Sequence, residues 1–193
     1  MLGSLLRRLT NPRAPTGDAS LRLHIGGEIA HPDWKIFNIY PGPKVDYTGH
    51  CADLSRFADG SVSEIYASHV LEHLRFKDEL PTALREFYRV LQPGTMLRVS
   101  VPDLHTLCRL FLDPELSTLQ RFQVMQMMFG GQTNAADTHH VGLDESFLGG
   151  YLSDAGFTDI TRVDAFNLFD DTSTMQYKLP ISLNMTARKP AAA

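Results

Sequence analysis

The chain reads as an α/β domain with a mostly parallel central sheet, helices on both faces and an antiparallel last strand. Three observations carry this. Strand-like and helix-like stretches follow one another in β-α-β-α order through the middle of the chain, which calls for crossovers and a sheet covered on both sides. Residues 62–74, Val-Ser-Glu-Ile-Tyr-Ala-Ser-His-Val-Leu-Glu-His-Leu, run from an apolar strand into a helix and gather polar side chains at the switch. Finally, 193 residues with 43% hydrophobic and 21% charged are enough for one sizeable core and too few for two ordinary domains.

The elements follow in order. Residues 1–10 place Leu2, Leu5, Leu6 and Leu9 around Arg7 and Arg8, a short amphipathic turn, and 11–19 carry two prolines and a glycine, a linker. The domain should therefore span 20–190, with 191–193 a tail. Leu21-Arg22-Leu23-His24-Ile25 alternates and runs into Gly26-Gly27-Glu28, a strand delivering the chain to a tight turn. Strands are expected at 35–40, ended by Pro41-Gly42-Pro43, at 45–49 and at 64–68. A helix is expected at 79–91, where Leu80, Leu84, Phe87, Val90 and Leu91 recur at helical spacing before Pro93-Gly94. A fifth strand at 96–101 ends at Pro102-Asp103, and 104–112 reads as helix. Residues 119–129 form an apolar, methionine-rich helix suited to packing or to a lid. A polar loop at 130–142 holds Asn134, Asp137, His139 and His140. The helix at 144–154 is closed by Gly156, and strands at 158–166 and 183–189 complete the domain.

Composition narrows the function. A net charge of −4 offers no general attraction to phosphate backbones, so nucleic acid is not an expected partner. Cys51 and Cys108 have no metal-knuckle or disulfide-framework spacing, which fits a reducing, cytoplasmic setting. The leading apolar run is too short for a membrane span or a signal-peptide core.

The polar residues at the switch in 62–74 admit two chemistries. At the carboxyl ends of parallel strands Ser68 and His69 would line a small-molecule crevice. The same letters spell His69-x-x-Glu72-His73, an inverted zinc-peptidase signature, with His139, His140 or Glu145 available as a third ligand. Because His69 falls where strand becomes helix, the one-turn separation of the imidazoles is not guaranteed, and the favoured assignment contains no metal.

Leu23-His24-Ile25-Gly26-Gly27, Ala67-Ser68-His69-Val70-Leu71-Glu72-His73, Val90-Leu91-Gln92-Pro93-Gly94 and Leu97-Arg98-Val99-Ser100-Val101-Pro102-Asp103 together resemble the class I S-adenosylmethionine-dependent methyltransferases. The chain is most similar to a small bacterial branch of the type 11-like methyltransferase domains, whose members carry an Ile-Ser-Leu-Asn ending, here residues 181–184. The resemblance covers about 21–190 and implies a Rossmann-like, seven-stranded sheet with a reversed last strand. It implies S-adenosyl-L-methionine as cofactor, wrapped by the turn at Gly26 and Gly27. Glu28 stands where that turn usually continues with glycine, and Asn38 stands where an acidic residue usually holds the ribose. Asp53 and Leu54 match the adenine edge, Ser68 and His69 the positions after the fourth strand, and His24 replaces an acidic residue of the first strand.

In-line transfer needs alignment more than acid–base machinery, and a base helps where the acceptor is a hydroxyl. His139 is the first choice for that base, His69 the second, with Asp137 in the same loop as His139. The resemblance implies a small-molecule or saccharide acceptor. Glu28 and Asn38 also suit an inactive, methyltransferase-like binding protein. Together the switch residues and the glycine turn lead to one expectation: Gly26-Gly27 and Ser68-His69 line a single cavity.

Overall fold

The computed structural model describes residues 20–192; the expected N-terminal turn and linker at 1–19 lie outside them. Seven strands form one sheet in the order β3-β2-β1-β4-β5-β9-β6. They are β1 (Arg22–Ile25), β2 (Lys35–Asn38), β3 (Tyr47–Thr48), β4 (Val62–Ser68), β5 (Leu91–Pro102), β6 (Thr158–Val163) and β9 (Ser182–Arg188). The first five are parallel; β9 enters between β5 and β6 and is antiparallel to both. A small hairpin of β7 (Gln176–Tyr177) and β8 (Leu179–Pro180) lies in the connection between β6 and β9. The fold class is the one expected.

Strand alternation decides what each face buries. Leu23, Ile25, Ile65, Ala67, Leu97 and Val99 belong to one large buried cluster with Leu80, Leu84 and Phe87 of α1 (Glu79–Val90) and Leu148 and Leu152 of α4 (Glu145–Asp154). The intervening His24 and Tyr66 turn the other way, where Trp34, Phe166 and Phe169 pack around them. Connecting segments thus cover that part of the sheet. α2 (Leu104–Phe111) and α3 (Thr118–Phe129) form a third cluster through Leu107, Leu110 and Val124, with Ile181. No helix among the described residues is long and apolar enough to cross a membrane.

α1 starts where Asp78 accepts from Glu79 N at 2.8 Å and stops at Val90 as the chain turns directly into β5. α3 carries a capping box between Ser117 and Gln120, and α4 is capped by Asp144. Several strands are shorter than their patterning suggests. β2 ends at Asn38 instead of residue 40, β3 has two residues instead of five, and β6 stops at Val163. β2 ends with its pairing to β1 and β3, whereas β6 stops at Val163 although β9 runs on to Ser182, and β3 starts opposite Phe37 although β2 begins at Lys35.

Candidate functional site

A cavity of about 490 Å³ opens at the carboxyl ends of β1 and β2 and beside the segment that follows β4. That is within the usual size of small-molecule sites, about 300–1,000 Å³. Its floor is the turn after β1. Gly26 sits at φ +74°, a conformation that favours glycine, and a Cβ there would lie 2.3 Å from Cγ2 of Val70, which packs against it. Gly26 N donates to Phe37 O at 2.8 Å, fixing the turn against β2. Gly27 is needed for a different contact, since a Cβ on it would come within 2.5 Å of the His24 ring.

The remaining walls come from four segments. Asn38, Ile39 and Tyr40 follow β2, and Gly49, His50 and Cys51 follow β3. Val70, His73 and Leu74 belong to or flank a short 3₁₀ turn, Leu71–His73, and residues 134–137 with His140 come from the polar loop. Tyr40 Oη donates to Asn134 Oδ1 at 3.3 Å, joining the β2 end to this loop. Asp137 shapes the loop by accepting from Thr133 N at 3.1 Å and Thr133 Oγ1 at 2.7 Å, and those bonds hold its carboxyl below the usual range.

The expected site residues fall into three places. Gly26, Glu28, Asn38 and Asp137 line the cavity. Asn38 also serves the fold, donating to Gly27 O at 3.2 Å and accepting from Tyr40 N at 3.1 Å. Gly27, Asp53, Leu54, Ser68, His69 and His139 are not among the lining residues. Leu54 is fully buried, with its N–H bonded to Glu86 and its carbonyl to Arg89, and Asp53 is exposed and accepts from Ser55 N. Cys51 and His50 occupy the wall two to four residues earlier. Burial raises the Cys51 thiol pKa to about 12, so it presents a neutral S–H there. Gly26 thus packs directly against Val70, one residue beyond the expected Ser68-His69 edge.

His69 points away from the cavity and into the fold. Its backbone is left-handed, φ +51°, and its Nε2 lies 2.9 Å from Ser182 Oγ on β9. Ser182 donates its single hydroxyl proton to Thr172 O at 2.7 Å, so His69 Nε2–H is the donor in this pair. The other ring nitrogen stands 3.3 Å from Glu72 Oε1.

Glu72 and His139 build a polar cluster behind the cavity wall, with His73 belonging to both. Glu72 is 2% exposed, and neither of its carboxylate oxygens has an aligned hydrogen-bond donor. Burial pushes its pKa up, but neighbouring His69 and His73 outweigh that and hold it below the usual carboxylate range. The His73 and His139 rings meet edge to face with centroids 4.8 Å apart. His73 Nδ1 is 3.2 Å from Thr138 O; a carbonyl only accepts, so Nδ1 carries a proton. Burial chiefly lowers the His139 pKa, keeping that ring neutral at pH 7.

Solved structures place this architecture. The chain aligns over 90% of its length with 88% of an S-adenosylmethionine-dependent methyltransferase from Archaeoglobus fulgidus, at TM-score 0.56 and 16% identity. It aligns over 89% of its length with 62% of a possible exported protein from Bordetella parapertussis, at TM-score 0.55 and 14% identity. It also aligns over 89% with 48% of human N-acetylserotonin methyltransferase, solved with S-adenosylmethionine, at TM-score 0.51 and 16% identity. The chain therefore spans between about half and three fifths of the last two proteins. No curated protein sequence matches it. Residues 38–99 match the family described as methyltransferase domain, a stretch that runs from the end of β2 through β4 and α1 into β5. The fold is the one these methyltransferase structures share. Within the matched stretch the domain contributes Asn38, Cys51, Val70, His73 and Leu74 to the cavity.

Proposed function

We propose that this domain is an S-adenosylmethionine-dependent methyltransferase that acts in a cytoplasmic setting on a small-molecule or saccharide acceptor. The observation that carries the reading is the cavity walled by the left-handed Gly26 turn on one side and reaching His73 on the other. The residues fit the cofactor: at Gly26 the backbone approaches as no residue with a Cβ could, and Glu28 and Asn38 offer polar atoms to its amino-acid and ribose portions. Val70, Leu74 and Ile39 supply apolar walls. When bound, S-adenosylmethionine supplies an activated methyl group whose departure leaves a neutral thioether.

The residues of the chain then have to hold the acceptor in line, keep water out and take a proton if the acceptor is a hydroxyl. Neutral His139, with its ring against His73, is assigned that proton, and Asp137 orders the loop that carries it. His69, held between Ser182 and Glu72, is assigned to positioning Glu72. Two free thiols, one buried and one exposed, accord with a reducing compartment.

Calorimetry with S-adenosylmethionine and S-adenosylhomocysteine tests the reading, with one-site binding to both expected. Absence of binding to either would discard it in favour of a methyltransferase-like binding module. For a hydroxyl acceptor, His139→Ala should reduce turnover by about 10²-fold or more while cofactor affinity stays within about threefold. Unchanged turnover removes His139 from the mechanism.

A further inference from the structure

Glu72 is the least explained polar group in the molecule. A buried carboxylate normally accepts several hydrogen bonds or faces a cation, because leaving it bare costs a large part of its solvation. Among the described residues Glu72 has neither an aligned donor nor a Lys or Arg partner. His69 is its nearest neighbour, and the nitrogen of His69 fixed as a donor is the one that faces Ser182. Meanwhile His73 and His139 each bring a ring to the same point, and one ligand atom from each of Glu72, His73 and His139 lies within 4.8 Å of the others.

We propose that Glu72, His73 and His139 bind a divalent transition-metal ion of the zinc type beside the cofactor cavity. Two imidazole nitrogens and one carboxylate oxygen form a donor set suited to a zinc-like ion and leave a fourth position open. Tetrahedral ligands about 2.0–2.1 Å from such an ion stand roughly 3.4 Å apart, so the three groups need to draw together by about an ångström. His139 can supply most of that movement, since it lies on the irregular loop and not on a helix or strand. One outer contact is already in place: Thr138 O accepts from His73 Nδ1 and orients that ring. The cluster differs from the His69-x-x-Glu72-His73 spacing expected for an inverted peptidase motif. His69 is turned to β9, and its place is taken by His139 from a loop 70 residues further along.

His73 both lines the cavity and belongs to the cluster, so the open position faces the side from which an acceptor would enter. That role rests on the methyl-transfer reading, and it assigns His139 to ligation in place of direct proton removal. The metal site itself does not depend on it.

The full-length chain, stripped with a chelator and dialysed, is titrated with Co²⁺ and Zn²⁺, and separately with S-adenosylhomocysteine. The expected result is one equivalent of Co²⁺ with visible d–d absorption, displaced by Zn²⁺, and a thermal midpoint that rises with metal. Glu72→Gln and His139→Ala should each weaken binding by about 100-fold or more, since loss of a mere outer-shell partner already costs up to that much. His139→Ala, on a loop, provides the test should the buried variant fold poorly. Absence of stoichiometric binding, or unchanged affinity in both variants, overturns the metal site. Metal binding without S-adenosylhomocysteine binding retains the site and removes the methyltransferase reading; the reverse pattern does the opposite.

Discussion

Gly26 meets two independent constraints, a left-handed backbone and a wall 2.3 Å from where a Cβ would stand. Gly26→Ala therefore strains the turn by about 1 kcal/mol and drives Val70 into the cavity. Calorimetry should register at least a tenfold loss of S-adenosylmethionine affinity, partly recovered in the Gly26→Ala/Val70→Ala double variant; recovery to nothing would mean that the backbone strain alone matters. At this scale the sequence was readable where one residue type answers one local demand. A glycine pair after an alternating strand marks its own turn, and Asn38 and Glu28 follow from their offsets along the chain. Contacts made across the fold were not readable. The 2.9 Å bond from His69 to Ser182 spans 113 residues, and in the irregular stretch after β3 nothing in the letters says that Cys51, and not Asp53, faces inward.

That irregular stretch depends on α1 for its shape. Arg89 donates to Glu86 Oε1 and Oε2 and to Asp59 Oδ1, each at 2.7 Å, and to the carbonyls of Phe57 and Leu54, each at 3.0 Å. Glu86 in turn accepts from Leu54 N at 3.0 Å. A wall of the cavity with no secondary structure is thereby clamped to a regular helix. Arg89→Met should cost about 2 kcal/mol in urea unfolding, from charge-assisted bonds lost and carbonyls left without donors. Arg89→Lys should recover little of it, because an ammonium cannot reproduce the planar fork; full recovery by lysine would show that charge alone suffices. α1 itself was legible almost to the residue, since its apolar spacing and its Asp78 cap are local signals. The ends of β2, β3 and β6 were not, because they depend on contacts with segments distant in sequence.

Across the whole molecule, the sheet holds a histidine that must stay neutral. His24 is 3% exposed between Tyr66 and Phe169, and burial lowers its pKa from 6.5 to about 4. The unfolded chain thus takes up a proton below pH 6.5 that the folded one refuses. Its contribution to stability is complete above pH 6.5 and is lost as pH falls toward 4. From pH 7 to 4.5 that loss is roughly 2 kcal/mol. Comparing urea midpoints at the two values, His24→Leu should lose that much less than the parent, and parallel losses in both proteins would assign the acid sensitivity to carboxylates instead. The order of strands carries a consequence of another kind. β6 touches the sheet only through β9, and β5 has an open edge until β9 arrives. As the chain leaves the ribosome, β9 emerges last of the seven sheet strands, and until then the Met96–Pro102 edge of β5 is available to any extended peptide, including a neighbouring nascent copy. Assembly of this domain is therefore gated by its final strand, and the interval before that strand appears is when a chaperone has most to protect.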